Sequence, residues 1–145
     1  MKLSSRSRYG FKAILKLAVS YGEGPIRVKT IAEKEDISNK YLEQLMSMLK
    51  SSGLIRSVRG PRGGYTLARQ PNQIGLREIF VSLEGPLTTA ECLEHPDYCP
   101  RCADCVTRDV WAKIHGAIMG VLDSMTLQDL VDKSKGIDQG ANFQI

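Results

Sequence analysis

The chain has 145 residues, 42% of them hydrophobic and 25% charged, and a formal net charge of +4. That is a globular composition for one domain, or a small domain with an appended element, and no apolar run approaches the roughly 20 residues of a membrane span. The charge is divided unevenly. Residues 1–69 carry fourteen Lys/Arg against five Asp/Glu, and residues 70–145 carry six against eleven.

From Arg8 to Tyr21, the residues Phe11, Ile14, Leu15 and Ala18 recur at the i, i+3, i+4, i+7 spacing of an amphipathic helix, which Gly22, Gly24 and Pro25 end. Ile26–Val28 reads as a short strand. A brief second helix fits Thr30–Glu35, with Ile31 and Ala32 facing inward. Ser38 is placed to cap a third helix, because its hydroxyl can accept from a free N–H of the first turn. That helix should run to about Ser52, where Gly53 suits a left-handed stop. Leu42, Leu45, Met46 and Leu49 share one face, and Lys40, Glu43, Gln44 and Ser47 share the opposite one.

Leu54–Val58 and Tyr65–Ala68 are β-prone runs joined by Arg59-Gly60-Pro61-Arg62-Gly63-Gly64, a hairpin tip by composition. Three helices followed by a two-stranded hairpin is the order of a winged helix-turn-helix. Residues 70–75 form a polar connection, and Leu76, Ile79, Phe80 and Leu83 mark another short helix. Gly85 to Asp104 holds Pro86, Pro96 and Pro100 and reads as a loop of about twenty residues, a length that is usually functional or disordered. Beyond it, Val110, Trp111, Ile114, Ala117, Ile118, Val121, Leu122 and Met125 form one apolar helical stripe. Thr126 and Asp129 have capping-box spacing for a short final helix through Val131, with a flexible tail over 133–145.

The long loop carries the chain's main chemistry. Cys92, Cys99, Cys102 and Cys105 fall within fourteen residues, and there is no other cysteine. Thiolates are soft ligands that suit iron–sulfur clusters and zinc. A disulfide framework is the alternative. Local clustering, a chain long enough to build a core, and an N-terminus without a secretory pattern argue against it.

In a helix-turn-helix the second helix lies in the major groove with its N-terminal residues on base edges. The third helix would therefore present Ser38, Lys40, Tyr41, Glu43 and Gln44 to DNA. Gln can bond adenine in a bidentate manner, and Glu can accept from the cytosine amino group. Arg59, Gly60, Arg62 and Gly63 at the hairpin tip would contact phosphate or the adjacent minor groove. Each residue alone could be ordinary polar surface; helix order, tip composition and the basic first half together favour DNA. The stripe needs a partner, and a winged domain of about 80 residues already has its own core. Val110, Trp111, Ile114, Ile118, Val121 and Leu122 are thus assigned to a homodimer, with packing inside one chain as the alternative. No phosphate-binding glycine loop with Lys-Ser/Thr and no nucleophile elbow is present, so an enzyme is not expected.

Several stretches together resemble the bacterial winged-helix regulators that include IscR and NsrR. They are Arg8-Tyr9-Gly10, Tyr41-Leu42-Glu43-Gln44-Leu45, Val58-Arg59-Gly60-Pro61 through Gly63-Gly64-Tyr65, and Cys105-Val106-Thr107-Arg108 with Trp111. The likeness covers about residues 1–132 and is greatest to the iron–sulfur regulator IscR, with which Glu43 and the hairpin tip agree. It implies a mainly α fold with a small hairpin: a winged helix-turn-helix over 1–84, a cysteine-rich cluster loop over 85–104, and a dimerisation helix with a short final helix over 105–132. It also implies a homodimer that binds double-stranded promoter DNA and receives its cluster from iron–sulfur donors, while the globular composition without an apolar span already leads to the expectation of a cytoplasmic protein with no membrane association. Cys92, Cys99 and Cys105 match the family's three ligating cysteines, and a 2Fe–2S cluster is expected in preference to 4Fe–4S. Two positions depart from the family. Arg108 stands where IscR has a histidine, and Arg8 stands where NsrR-type proteins have an acidic residue. The fourth ligand is left among Cys102, His95, a loop carboxylate and an exogenous molecule. The alternatives are a nitric-oxide or cysteine-metabolism regulator on the same scaffold, or a zinc-stabilised interaction module that never touches DNA.

Overall fold

A computed structural model describes residues 2–142, with side chains described through Asp138. Helix α1 (Ser5–Val19) begins at Ser4, whose hydroxyl accepts from the Ser7 N–H, and buries Gly10, Ala13, Ile14, Leu17 and Ala18. Helix α2 (Val28–Glu35) ends at Asp36, which adopts a left-handed conformation at φ 53° and turns the chain into the next helix. Asp tolerates that region because its short polar side chain can bond locally. Helix α3 (Asn39–Ser51) is capped by Ser38, whose hydroxyl accepts from Tyr41 N at 3.1 Å, and buries the expected Leu42, Leu45, Met46 and Leu49.

Strands β1 (Ile55–Val58) and β2 (Gly64–Leu67) pair antiparallel, with Ile55 opposite Leu67 and Val58 opposite Gly64. The run read as a strand at Ile26–Val28 contributes a single bridge. Ile26 and Tyr65 exchange backbone bonds of 2.9 and 2.8 Å, which pins the tip-side end of the hairpin to the connection between α1 and α2. Gly64 makes this possible. Its φ is +145°, and a Cβ there would lie 2.4 Å from the Ile26 carbonyl oxygen. A 3₁₀ turn at Pro71–Gln73 leads into α4 (Leu76–Glu84), which buries Leu76, Ile79, Phe80 and Leu83.

The segment read as a structureless loop contains helix α5 (Glu91–Glu94) and a 3₁₀ turn at Cys102–Asp104. Helix α6 (Val106–Ser124) follows, and none of its residues is buried. The Thr126–Asp129 box forms: Thr126 N donates to Asp129 Oδ2 at 2.8 Å, and Asp129 N to Thr126 Oγ1 at 3.4 Å. Helix α7 differs from the expected short helix through Val131. It spans Leu127–Asn142, so most of the expected tail is helical, and residues 143–145 lie outside the described residues. Leu127 and Val131 enter the same core as α1, and Leu127 N donates to the Ile74 carbonyl at 2.8 Å. The start of α7 therefore returns to the winged core rather than extending from it. Among the described residues, no helix is long and apolar enough to cross a membrane.

A second clasp joins distant parts of the chain. Glu84, the last residue of α4, accepts hydrogen bonds from the Ser4 and Ser7 hydroxyls and pairs with Arg6 at 3.8 Å. Ser7 is the one buried polar residue of the described chain. These bonds, that of Ser4 first, hold the Glu84 carboxyl below its ordinary value. Glu84→Gln should lower stability at neutral pH by on the order of 1 kcal/mol. The sign follows from the direction of the shift. The wild-type advantage is complete above the unfolded-state glutamate pKa and is lost as pH falls through the lowered folded value. Urea titrations of both proteins at neutral and acid pH check this; an equal difference at both would contradict it.

Candidate functional site

The outward face of α3 is free. Ser38, Lys40, Glu43 and Gln44 are exposed, while the opposite face forms the core. Tyr41 is half-buried. Its hydroxyl lies 3.0 Å from Ser5 Oγ, and its ring meets that of Tyr9 edge to face at 6.3 Å. The start of α3 is thereby fixed to α1, a link that sequence reasoning missed because the partners are 32 and 36 positions apart.

At the hairpin tip Arg59, Gly60 and Arg62 are exposed, as expected of residues available to a polyanion. Gly63 is different. It is buried, its N–H donates to the Gly60 carbonyl at 2.9 Å, and a Cβ on it would lie 2.2 Å from the Val58 carbonyl oxygen. Its place is therefore inside the turn that presents the two arginines, a correction to its reading as a surface contact. Arg27, which sequence reasoning did not single out, donates from its guanidinium to the Pro61 carbonyl and braces the tip against the start of α2.

The four cysteines are free thiols, all half-buried. Cys92 lies on α5, Cys99 precedes the 3₁₀ turn that begins at Cys102, and Cys105 caps α6. The Cys105 sulfur lies 3.2 Å from Thr107 Oγ1. That hydroxyl first, then the Arg108 backbone N–H, hold its thiol below the usual range, which favours the thiolate that ligates metals. Arg108 reaches the other end of the set: its Nε and Nη2 donate to the Cys92 carbonyl at 3.4 and 3.3 Å. One residue thus ties the first cysteine's backbone to the helix that starts at the last. The resemblance, which marked Arg108 only as standing where IscR has a histidine, could not show this role.

Tested against an iron–sulfur cluster, the donors fit by chemistry: four reduced thiols within one segment and no competing cysteine elsewhere. Among the described residues, the set of three ligand atoms within 4.8 Å of one another is Glu91, Glu94 and His95, all exposed, rather than any three cysteines. His95 and the loop carboxylates therefore sit together, beside Cys92.

Helix α6 leaves its stripe open. Val110, Trp111, Ile114 and Val121 are exposed, Trp111 at 42% and Ile114 at 40%. Ile118 and Leu122 are half-buried and line an apolar groove of about 450 Å³ with Leu3, Phe11, Phe80 and Leu87. Val121 belongs to both, so the open apolar face of α6 runs into the groove.

Comparison with known proteins agrees with this architecture. The family model Rrf2, described as an iron-dependent transcriptional regulator, matches residues 3–133. The HTH-type transcriptional regulator CymR of Bacillus subtilis is 39% identical over 145 residues, all of both chains. The solved structure of CymR, titled the global cysteine regulator of B. subtilis, superimposes with a TM-score of 0.79 over 92% of this chain and 98% of that one, at 41% identity. The HTH-type transcriptional regulator IscR of Photorhabdus laumondii is 35% identical over 95% of this chain and 84% of its own length. The T. potens IscR structure is 40% identical, with a TM-score of 0.76 over 92% of this chain and 88% of that chain.

Proposed function

This chain belongs to the Rrf2 family of transcriptional regulators, and on that premise we propose that it is a homodimeric DNA-binding regulator whose cysteine segment holds an iron–sulfur cluster and reports on cluster or redox status. The observation that carries the reading is the pairing, in one short chain, of an open recognition face on α3 with four free thiols in the segment that leads into α6. Cys92, Cys99 and Cys105 would hold the cluster, with Cys102 as fourth ligand. A bound cluster supplies a labile centre sensitive to oxidants, nitric oxide and iron supply. The chain's own part is to position the thiols. Arg108 fastens Cys92 to α6, and the Glu84 clasp fastens the root of the cysteine segment to α1. Helix α1 in turn holds Tyr41 at the start of α3. On this reading promoter DNA and iron–sulfur donors are its partners, and it catalyses no reaction, as befits relatives named as transcriptional regulators.

A second reading is regulation of cysteine metabolism. It is favoured by the full-length similarity to CymR and by Arg108, which cannot ligate where IscR has a histidine. Both readings share the DNA interface, and one experiment examines it. Arg59→Ala should weaken binding to every duplex tested and flatten the dependence of affinity on salt, because a phosphate contact releases counterions irrespective of sequence. Glu43→Ala should relax discrimination by about 1–3 kcal/mol at a single base position while sparing the salt slope. If neither variant alters affinity, salt slope or base preference, the interface lies elsewhere.

A further inference from the structure

A cavity of about 540 Å³ lies between α4, residues 86–94 and α6. That is the size of a small-molecule pocket. Its apolar wall is formed by Val81, Leu87, Leu93 and Met119, and its polar groups come from Arg77, Thr89, Glu94 and His115. Among the described residues, two buried side-chain polar atoms lack any hydrogen-bond partner: Thr89 Oγ1 and His115 Nδ1. Both belong to residues that line this cavity. Buried polar atoms without partners are costly and uncommon, and a specific instance calls for a missing partner. Both side chains line one cavity, so a change of rotamer would let a bound molecule there supply the missing partners.

The remaining polar groups indicate its chemistry. Arg77 pairs with Asp123 at 2.6 Å, and Glu94 accepts from the Thr88 hydroxyl at 2.6 Å. Both pairs are exposed, so each charged group can exchange its present partner at small cost. Thr89 Oγ1 can donate, and so can His115 Nδ1 in its Nδ1–H or charged form. Two donors and a guanidinium lining one cavity suit a carboxylate, and the Glu94 carboxylate in the same cavity suits an ammonium. We propose that this cavity binds a small free amino acid. Its carboxylate is received by Thr89, His115 and Arg77, its ammonium by Glu94, and its side chain by the Val81, Leu87, Leu93 and Met119 wall. Ala112, His115 and Met119 of α6 form one wall, and Ala90, Leu93 and Glu94, the sequence neighbours of Cys92, form another, so an occupant bridges the start of the cysteine segment and the helix that carries the apolar stripe. The site stands whether or not the cysteines hold a cluster.

The chain has two histidines, His95 and His115. Imidazole proton NMR of the full-length protein therefore reads the cavity directly, with exposed His95 as an internal control. The common L-amino acids are titrated singly, alongside 4-methylpentanoate and isopentylamine, which are leucine without its ammonium and without its carboxylate. The expected result is a saturable shift of the His115 resonances with at least one amino acid while His95 stays fixed. The same amino acid should raise the unfolding midpoint. Thr89→Val and Glu94→Gln, which keep the reporter, should each weaken binding at least tenfold. The proposal is overturned if no amino acid moves His115, so that water alone fills the cavity. It is equally overturned if 4-methylpentanoate binds as well as leucine, or if both variants bind like the wild type.

Discussion

Ile114→Asp should convert the protein to a monomer in sedimentation velocity and cut its affinity for a duplex carrying two half-sites by about 10² or more. Ile114 is 40% exposed in the protomer and no residue of α6 is buried. The substitution therefore leaves the winged core intact, and surface changes of this kind usually move stability by no more than about 0.5 kcal/mol. In the dimer the new carboxylate would be buried without a partner. Such a charge costs roughly 3–5 kcal/mol, and each 1.4 kcal/mol is a factor of ten in affinity. Loss of the dimer separates two recognition helices that twofold symmetry would set one helical turn of DNA apart. Ile118 is a poorer probe, because it is half-buried against its own chain in the apolar groove. A variant that stays dimeric at the wild-type concentration range would move the interface away from this stripe.

Cys105→Ala should abolish iron and acid-labile sulfide from anaerobically purified protein, and Cys92→Ala and Cys99→Ala should do the same. The effect should be large because these three thiolates are assigned to the cluster and Cys102, the one remaining cysteine, is proposed as the fourth ligand rather than a spare. Cys102→Ala divides the two ligand models. Retention of the chromophore gives a three-thiolate site completed by another donor, and loss gives a four-thiolate site. Stoichiometric zinc without sulfide in the wild type would support a structural metal instead.

Most of the winged domain was legible in the chain because its signals are local. The stripe Leu42, Leu45, Met46, Leu49, the Ser38 cap and the glycine-rich tip each specify one element within a few residues, and each forms as read. The apolar stripe of α6 was legible for the same reason, since periodicity shows an apolar face before anything shows what covers it. Three features were not legible. Helix α5 has four residues, too few for a period to register. Helix α7 continues through a run of Lys, Gly, Asp and Gln that reads as a tail. What anchors it is the burial of Leu127 and Val131 against α1, a contact more than a hundred positions distant. The third is the wiring of the candidate site. Glu84 to Ser4 and Ser7, Tyr41 to Ser5, and Arg108 to Cys92 join residues with no sequence signature of pairing. Gly63 shows the converse error. Its composition marked the right turn, but burial assigns it to building the tip rather than touching a ligand.

In the proposed coupling the state of the cysteine segment governs the recognition helix. The most direct measurement is anaerobic binding of cluster-loaded and cluster-free protein to the same set of promoter duplexes at one fixed salt concentration. The two forms should differ in preference among the duplexes, and Glu43→Ala should remove much of that difference. Equal preference of the loaded and cluster-free wild type would contradict it.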